Sequence, residues 1–138
     1  MDRNRTIQIS YFLLRVVSGF LLFQSGAMKW FGLFGGMPKG SPPFELGSQM
    51  GVGAVIEVVG GLCILLGLFT RPAAFICSGM MAVAYWQFHA PNGTWPAQNF
   101  GMPAVLLCFI FLYIAAEGGG PWSLDAQIFG KSQASRKA

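Results

Sequence analysis

Four long apolar stretches occupy most of this chain, and two of them contain an ionisable residue well away from their ends. Each stretch is about as long as the 17–25 residues with which a helix crosses a bilayer. Arg15 lies inside the first stretch and Glu57 inside the second. A charge near the middle of a membrane helix costs about 2.5–3.5 kcal/mol on insertion scales, so it needs a partner or a water-filled cavity. The sequence therefore predicts a membrane protein in which Arg15 and Glu57 pair with each other.

The composition indicates a single membrane domain. Hydrophobic residues make up 54% of the 138 residues and charged residues only 10%, whereas about 25% of an ordinary soluble domain is charged. The net charge of +4 comes from basic residues near the two ends of the chain, where such residues set membrane orientation; nucleic-acid binding is not indicated. We interpret residues 1–138 as one all-α integral membrane domain. The first stretch is too long for a signal peptide, so we expect it to be retained.

The apolar stretches predict a bundle of four transmembrane helices over approximately 8–30, 49–69, 72–89 and 100–117. Pro72 suits the first turn of a helix, so the second and third helices are predicted to form an antiparallel hairpin. Basic residues occur at the N-terminus, at Arg71 and after Gly130, whereas residues 90–100 carry no charge. The positive-inside rule then predicts that both termini are cytoplasmic.

The C-terminal segment and the cysteines carry weaker signals. Residues 122–129 have the apolar spacing of a short interfacial helix with Ser123 as its N-cap, and residues 131–138 are predicted to be disordered. Cys63, Cys77 and Cys108 lie in three different stretches without a C-x-x-C spacing. They are most simply small hydrophobic residues, and no metal site is predicted.

Helix phase predicts which side chains face the interior. Residues that are small or charged, except Leu22, recur at steps of three and four in the first stretch and at steps of four in the second: Arg15, Gly19, Leu22, Gly26 and Lys29, then Gly53, Glu57 and Gly61. Residues at these spacings share one helix face, and small residues allow close helix contact in membranes. At about 1.5 Å per residue, Arg15 and Glu57 differ by about 8 Å in depth, a gap that a long Arg side chain can span.

A second polar cluster is predicted at the outer ends of the helices, beneath the Gly/Pro-rich loop 32–48. It consists of substrate-binding candidates above Glu57: Lys29, Tyr85, Trp86, His89 and Asn99. Together they would accommodate a small polar head group. A plainer interpretation exists for most of them, since aromatic residues form a belt at membrane interfaces and a lysine near a helix end snorkels to the interface.

The roles of Arg15 and Glu57 have two interpretations. Intramembrane ionisable residues are functional candidates by default, so we take Glu57 and Arg15 as the catalytic candidates, with Arg15 supporting Glu57 from the cytoplasmic side. The alternative is a structural pair that fixes helix register.

Several motifs along nearly the whole chain resemble the DoxX family of small bacterial four-helix membrane proteins. They are Leu14-Arg15, Gly26-Ala27-Met28-Lys29, Glu57-Val58-Val59-Gly60-Gly61, the run 66–74 and Gly118-Gly119-Gly120-Pro121-Trp122-Ser123-Leu124-Asp125. One departure concerns the fourth helix, where many relatives have an acidic residue after the Asn-x-Gly that opens it. Here Asn99-Phe100-Gly101 is followed by Met102-Pro103.

The resemblance implies a multi-pass protein of the bacterial inner membrane with a redox association. Relatives include the quinone-linked DoxD type of thiosulfate oxidation and membrane partners of thiol- and superoxide-handling enzymes. This chain has no haem-ligand pair, iron–sulfur spacing or nucleotide-binding loop, so we expect no intrinsic cofactor. A quinone is the candidate ligand, and electrons would arrive from a partner.

Three functions remain open from the sequence. The first is a membrane subunit of a redox system, with a quinone or small-substrate pocket near Glu57 and a docked oxidoreductase partner. The second is a non-catalytic scaffold or assembly factor. The third is a carrier of protons or small solutes, which would need a homo-oligomer because four helices make a thin conduit.

Overall fold

The computed structural model describes residues 2–137, with side chains described as far as Gly130, and all regular structure in that part of the chain is helical. There are five α-helices: α1 (Arg3–Phe31), α2 (Gln49–Leu66), α3 (Thr70–Ala84), α4 (Met102–Glu117) and α5 (Leu124–Lys137). A π-helical turn, Tyr85–His89, and a 3-10 turn, Ala90–Asn92, continue α3.

The helices pack in two pairs, α1 along α2 and α3 along α4, and contacts between α2 and α3 join the pairs. The buried core lies at this junction and contains Leu22, Ile64, Ala74, Cys77, Met81, Phe111 and Ile114. The Ser78 hydroxyl in α3 donates a hydrogen bond of 2.7 Å to the carbonyl oxygen of Cys108 in α4. Arg71, earlier in α3, contacts Ala116, later in α4, so these two helices run antiparallel. α1 and α2 do so as well, since Gly19 contacts Leu65 and Gly26 contacts Ala54.

Glycines bring the backbones of α1 and α2 into direct contact. A Cβ added to Gly61 would lie 2.5 Å from the backbone nitrogen of Phe23, and one added to Gly19 would lie 2.6 Å from that of Leu65. These distances are too short for real Cβ contacts, so both positions require glycine. The close contact predicted from helix phase is confirmed for Gly19, Gly26 and Gly61, as expected for small residues between membrane helices. It is not found at Gly53, where an added Cβ would meet nothing within 4 Å.

The helix boundaries follow local signals in the sequence. Ser48 caps α2 by accepting a hydrogen bond from the Gly51 backbone N–H, as N-cap serines do. α2 ends at Leu66, three residues before the predicted end at Phe69, because Gly67 follows it in the left-handed conformation with φ of 70°. The other predicted spans agree with α1, α3 with its two short turns, and α4. α5 continues to Lys137, beyond the residue where the sequence predicted the end of the helix.

Two of the four predicted spans, α1 and α2, are long and apolar enough to cross a membrane. Only 28% and 39% of their most apolar 18-residue windows are buried, so neither resembles the buried core helix of a soluble protein. α4 is apolar but has 16 residues. Large apolar side chains on the outer faces of the other helices are also exposed, including Phe75 and Phe109. An extensive exposed apolar surface of this kind is typical of contact with lipid or a partner.

The antiparallel packing gives the molecule two distinct ends. We call the end where Arg15, the α2–α3 connection and the start of α5 meet the terminal end. We call the opposite end, which carries the Gly/Pro-rich loop 32–48 and the α3–α4 connection, the loop end.

Candidate functional site

The predicted pair of Arg15 and Glu57 is not formed in the structure. The Arg15 guanidinium donates hydrogen bonds of 2.6, 2.7 and 2.7 Å to the carbonyl oxygens of Ile64, Leu65 and Trp122. Ile64 lies seven residues beyond Glu57, which is about 10 Å along a helix. Arg15 thus binds the C-terminal end of α2 rather than its middle. The prediction was wrong because the last carbonyls of a helix lack intrahelical partners and attract a cation.

The terminal end is held together by the C-terminal motif as well as by Arg15. The Asp125 carboxylate accepts hydrogen bonds from the Phe69 N–H at 2.7 Å, the Thr70 N–H at 2.9 Å and the Thr70 hydroxyl at 2.7 Å. It therefore supplies an anion to the first turn of α3, where the helix dipole favours one. The sequence predicted a short helix here with Ser123 as its N-cap, and the Ala126 N–H does donate to the Ser123 hydroxyl at 3.1 Å. It gave Asp125 no role beyond its place in the motif that resembles the family.

Arg71 also binds backbone carbonyls, with a hydrogen bond of 2.7 Å to Ala116 at the end of α4. The Tyr11 hydroxyl donates to the carbonyl oxygen of Gly118. Together with Arg15 and Asp125, these contacts fix the ends of α2, α3 and α4 to α1 and to the start of α5. We call this set of contacts the terminal network. Its charged groups bind the protein's own backbone, which indicates a structural role.

At the loop end, Glu57 forms an ion pair with Lys29. The Lys29 ammonium lies 2.8 Å from both carboxylate oxygens, and the Ser25 hydroxyl lies 3.3 Å from one of them. The Glu57 side chain is 7% exposed and the Lys29 side chain 23% exposed. Helix phase places Lys29 and Ser25 one turn apart on the face of α1 that contacts α2. This partly buried pair is the only salt bridge among the side chains described, those of residues 2–130.

The ion pair lies at one edge of a cavity of about 810 Å³ between the helices. The polar groups around it are Ser25, Lys29, Gln49, Glu57 and His89. The remaining walls are mainly aliphatic, with Leu22, Ile56, Met80, Met81, Ala104 and Leu107 among them. Ligand sites in proteins are typically concave, mostly apolar and supplied with a few polar groups that orient the ligand. We call this space the main cavity.

His89 lines the main cavity and is oriented by the α3–α4 connection. Its Nδ1 lies 3.1 Å from the carbonyl oxygen of Asn99. A carbonyl only accepts hydrogen bonds, so Nδ1 carries the proton and Nε2 of the neutral ring is an acceptor. His89 can therefore accept a hydrogen bond from a hydroxyl group through Nε2, or donate one when protonated.

The other predicted binding residues lie around His89 but outside the lining of the main cavity. Asn99 is buried and shapes the loop, because its amide donates to the Gly93 carbonyl at 3.0 Å and accepts from the Gly101 N–H at 2.9 Å. The Tyr85 ring stacks on His89 with 6.4 Å between centroids. Trp86 is 71% exposed and contacts Tyr85 edge to face, which suits an interfacial position better than a binding wall.

The structure therefore brings three of the predicted site residues to one cavity: Glu57, Lys29 and His89. Sequence reasoning missed Ser25 and Gln49. The position of Ser25 one turn before Lys29 on the polar face of α1 was a usable signal. Gln49 gave none, because it is the first residue of α2 and had been counted only as a helix boundary.

Comparison with known proteins identifies the family of the chain. Residues 10–90 match the sequence model of the DoxX family. The chain belongs to the DoxX family. A Haemophilus influenzae protein, described only as an uncharacterized protein, is 38% identical over 130 residues, which cover 88% of this chain and 93% of that protein. No solved structure matches this DoxX chain. Membership places it among small membrane proteins that are often associated with oxidoreductases.

Proposed function

We propose that this DoxX protein is the membrane-embedded subunit of a redox system, and that its main cavity binds a quinone or a similar small redox substrate. The observation that carries the proposal is the main cavity itself, an apolar space of about 810 Å³ with the Lys29–Glu57 pair and His89 at its polar edge. A partner oxidoreductase would exchange electrons with the ligand, since the chain has no redox centre sequence of its own.

The polar edge of the main cavity suits the head group of a quinone. Carbonyl oxygens of such a ring would accept hydrogen bonds from the Lys29 ammonium or the Gln49 amide, and hydroxyl groups of its reduced form would donate to His89 Nε2 or to Glu57. A quinone supplies two-electron chemistry coupled to two protons when bound. The protein's part is to orient the ring, exclude bulk water and hold protons at Glu57 and His89.

The main cavity opens towards the apolar outer surface of the helices. Several side chains that line it are also about half exposed: Leu21, Val52, Ile76, Val83 and Phe88. A lining residue that is exposed on the outer surface marks a mouth rather than a closed wall. A ligand with an apolar tail would therefore enter from the lipid, which supports a lipid-soluble substrate.

The same proposal includes the membrane topology. We infer that α1, α2, α3 with its continuing turns, and α4 cross the bacterial inner membrane with both termini in the cytoplasm. The antiparallel packing of the helix pairs supports this topology, and so does the position of Arg71 at the same end as the basic N-terminal residues. The terminal end then faces the cytoplasm, and the loop end faces the opposite side.

Binding of a quinone analogue to the protein in lipid nanodiscs tests the proposal. Glu57→Gln removes the charge of the pair and leaves the shape, and we expect its affinity to fall by at least about tenfold, as for a lost charge-assisted hydrogen bond. Glu117→Gln is the matched control, because Glu117 is exposed at the terminal end and lies outside the main cavity. Equal affinities for the two variants, or no binding by the unaltered chain, would reject the proposal.

A second function, a membrane scaffold for a partner protein, is favoured by the terminal network. Asp125 binds the start of α5 to the first turn of α3 through its carboxylate and to the end of α2 through its backbone N–H, which lies 2.8 Å from the Gly67 carbonyl oxygen. These contacts would present α5 to a partner in a defined position. Co-purification in mild detergent separates the two functions. If the protein is a scaffold, the Glu57→Gln variant retains the partner and the Asp125→Ala variant loses it. Neither variant then binds a quinone analogue.

A further inference from the structure

A second cavity lies on the other side of Lys29, beneath the Gly/Pro-rich loop. Its volume is about 330 Å³, and we call it the loop cavity. Most of its lining comes from the loop: Gly32, Met37, Pro38, Gly40, Ser41, Pro42 and Phe44. Met28, Lys29 and Met50 from the helices complete it. Its volume is sufficient for several water molecules, each of which occupies about 30 Å³ in the liquid.

Lys29 and Met50 are the two residues that line both cavities. They therefore form the partition between the loop cavity and the polar edge of the main cavity. The Lys29 ammonium carries three N–H donors. Two of them bond the two oxygens of Glu57, and the third has no hydrogen-bond partner among the side chains and backbone described between residues 2 and 137. A donor in this position can be satisfied by water.

We propose that the loop cavity is a water-filled entrance through which solution on the loop side reaches the Lys29–Glu57 pair. The entrance itself does not depend on the proposed function, but its consequence for a bound ligand rests on it. Protons that a bound ligand gives up or takes would be exchanged with the loop side, while the ligand itself enters from the lipid. Besides the pair itself, Lys29 on α1 and Glu57 on α2, the titratable group that lines the main cavity is His89 in the π-helical turn.

The shape of the loop supports an opening to solution. Gly32, Gly36 and Gly40 adopt left-handed φ values of 66°, 69° and 87°, which turn the chain sharply. A Cβ added to Gly32 or Gly40 would meet no atom within 4 Å, so the loop is open around both residues. The Ser41 N–H and hydroxyl both bond the Pro38 carbonyl, at 3.1 and 2.7 Å, which holds this part of the loop in one conformation.

Native methionines report the water in this entrance. Hydroxyl radicals made by radiolysis of water oxidise methionine to its sulfoxide where water contacts the sulfur. The experiment exposes the unaltered protein in lipid nanodiscs to a radiolytic dose series, and mass spectrometry measures the oxidation rate of each methionine. We expect Met50 to oxidise at a rate of the same order as Met37 in the loop, and at least about tenfold faster than the buried Met81.

Plugging the loop cavity makes the test specific. Ser41→Trp places a large side chain in its wall, and we expect the oxidation rate of Met50 to fall by about tenfold while that of Met102, outside both cavities, stays constant. Leu46→Trp is the matched control, because Leu46 is an exposed residue of the same loop and lines neither cavity. Pro42→Trp is a second plug if Ser41→Trp does not fold.

Two results would overturn the inference: a Met50 as protected as Met81 in the unaltered chain, or a Met50 rate that neither plug lowers relative to Leu46→Trp. The outcome is independent of quinone binding. Blocked oxidation without any binding of a quinone analogue would keep the entrance and reject the proposed function. Binding of the analogue together with a Met50 that is protected from oxidation would keep the proposed function and reject the entrance.

Discussion

The two buried ionisable residues that dominate the sequence have opposite surroundings at opposite ends of the molecule. Arg15 is 1% exposed and binds three backbone carbonyl oxygens, whereas Glu57 binds the ionisable side chain of Lys29 beside a cavity of about 810 Å³. Arg15 lines neither the main cavity nor the loop cavity. The type of partner, more than the presence of a charge, therefore separates a structural residue from a candidate for chemistry.

The largest expected effect is the loss of Arg15. Arg15→Met leaves the carbonyl oxygens of Leu65 and Trp122 without the Arg15 donor, and that of Ile64 with only the Gly67 N–H. We therefore expect the free energy of unfolding to fall by about 3–5 kcal/mol. Arg15→Lys keeps the charge, but an ammonium cannot replace the planar fork of a guanidinium, so we expect only partial recovery. Unfolding in mixed micelles measures both. An Arg15→Met protein of unchanged stability would contradict a structural role for Arg15.

A smaller effect on stability is expected from the loss of Asp125, which also belongs to the terminal network. In the unaltered chain, N–H and O–H donors meet the Asp125 carboxylate. Asp125→Asn replaces one carboxylate oxygen with an NH₂ group that cannot accept from these donors, so we expect a loss of about 1.5–3 kcal/mol of stability. Thr70→Val removes one of the three donors and should cost about 1 kcal/mol. Both are measured in the same unfolding assay. The comparison fails if Asp125→Asn lowers ligand affinity while leaving stability unchanged.

The α1–α2 contact separates glycines that need to be glycine from glycines that do not. Gly61→Ala drives a Cβ into the backbone of Phe23 and should cost about 1–3 kcal/mol, as overpacking does. Gly53→Ala lies in the same helix, where an added Cβ meets nothing within 4 Å. Because alanine favours helix formation over glycine by up to about 1 kcal/mol, Gly53→Ala should be neutral or stabilising. Equal effects at the two positions would rule out the close contact.

Of the three charged residues Arg15, Asp125 and Glu57, Glu57 has the smallest expected effect on stability. Glu57→Gln keeps hydrogen-bonding capacity towards Lys29 and Ser25, and the adjoining cavity leaves room for relaxation, so we expect a loss of about 1–2 kcal/mol. Its effect on ligand affinity should exceed its effect on stability, which is the reverse of Arg15→Met. Stability and affinity measured on the same preparations compare the two variants directly. A Glu57→Gln protein that unfolds as readily as Arg15→Met would remove the distinction between the two ends.

The sequence predicted the helices better than the contacts between their charges. The lengths of the apolar stretches, Pro72 and the glycines placed the helices to within a few residues, because these signals are local. The partners of Arg15 were missed because two of them are carbonyls at the end of α2 and the third belongs to Trp122, 107 residues along the chain. Every residue has a backbone carbonyl oxygen, so the sequence does not indicate which of them binds a buried cation.

The polar residues of the loop end were only partly predictable for a related reason. Helix phase placed Lys29 and Glu57 on facing surfaces, and the structure joins them. The order of Tyr85, Trp86, His89 and Asn99 around the connection depends on the π-helical turn, which shifts side chains off the α-helical phase and has no clear sequence signature. Whether these residues bind a ligand stays a prediction.

The central claim is that the main cavity beside Glu57 is the functional site, and a pair of glycine variants tests it most directly. Gly53 lines the main cavity and Gly79 does not, yet an added Cβ meets nothing within 4 Å at either position. We predict that Gly53→Phe lowers the affinity for a quinone analogue in nanodiscs by at least about tenfold, equivalent to about 1.4 kcal/mol, while Gly79→Phe leaves it unchanged. Equal affinities for the two variants would contradict the claim.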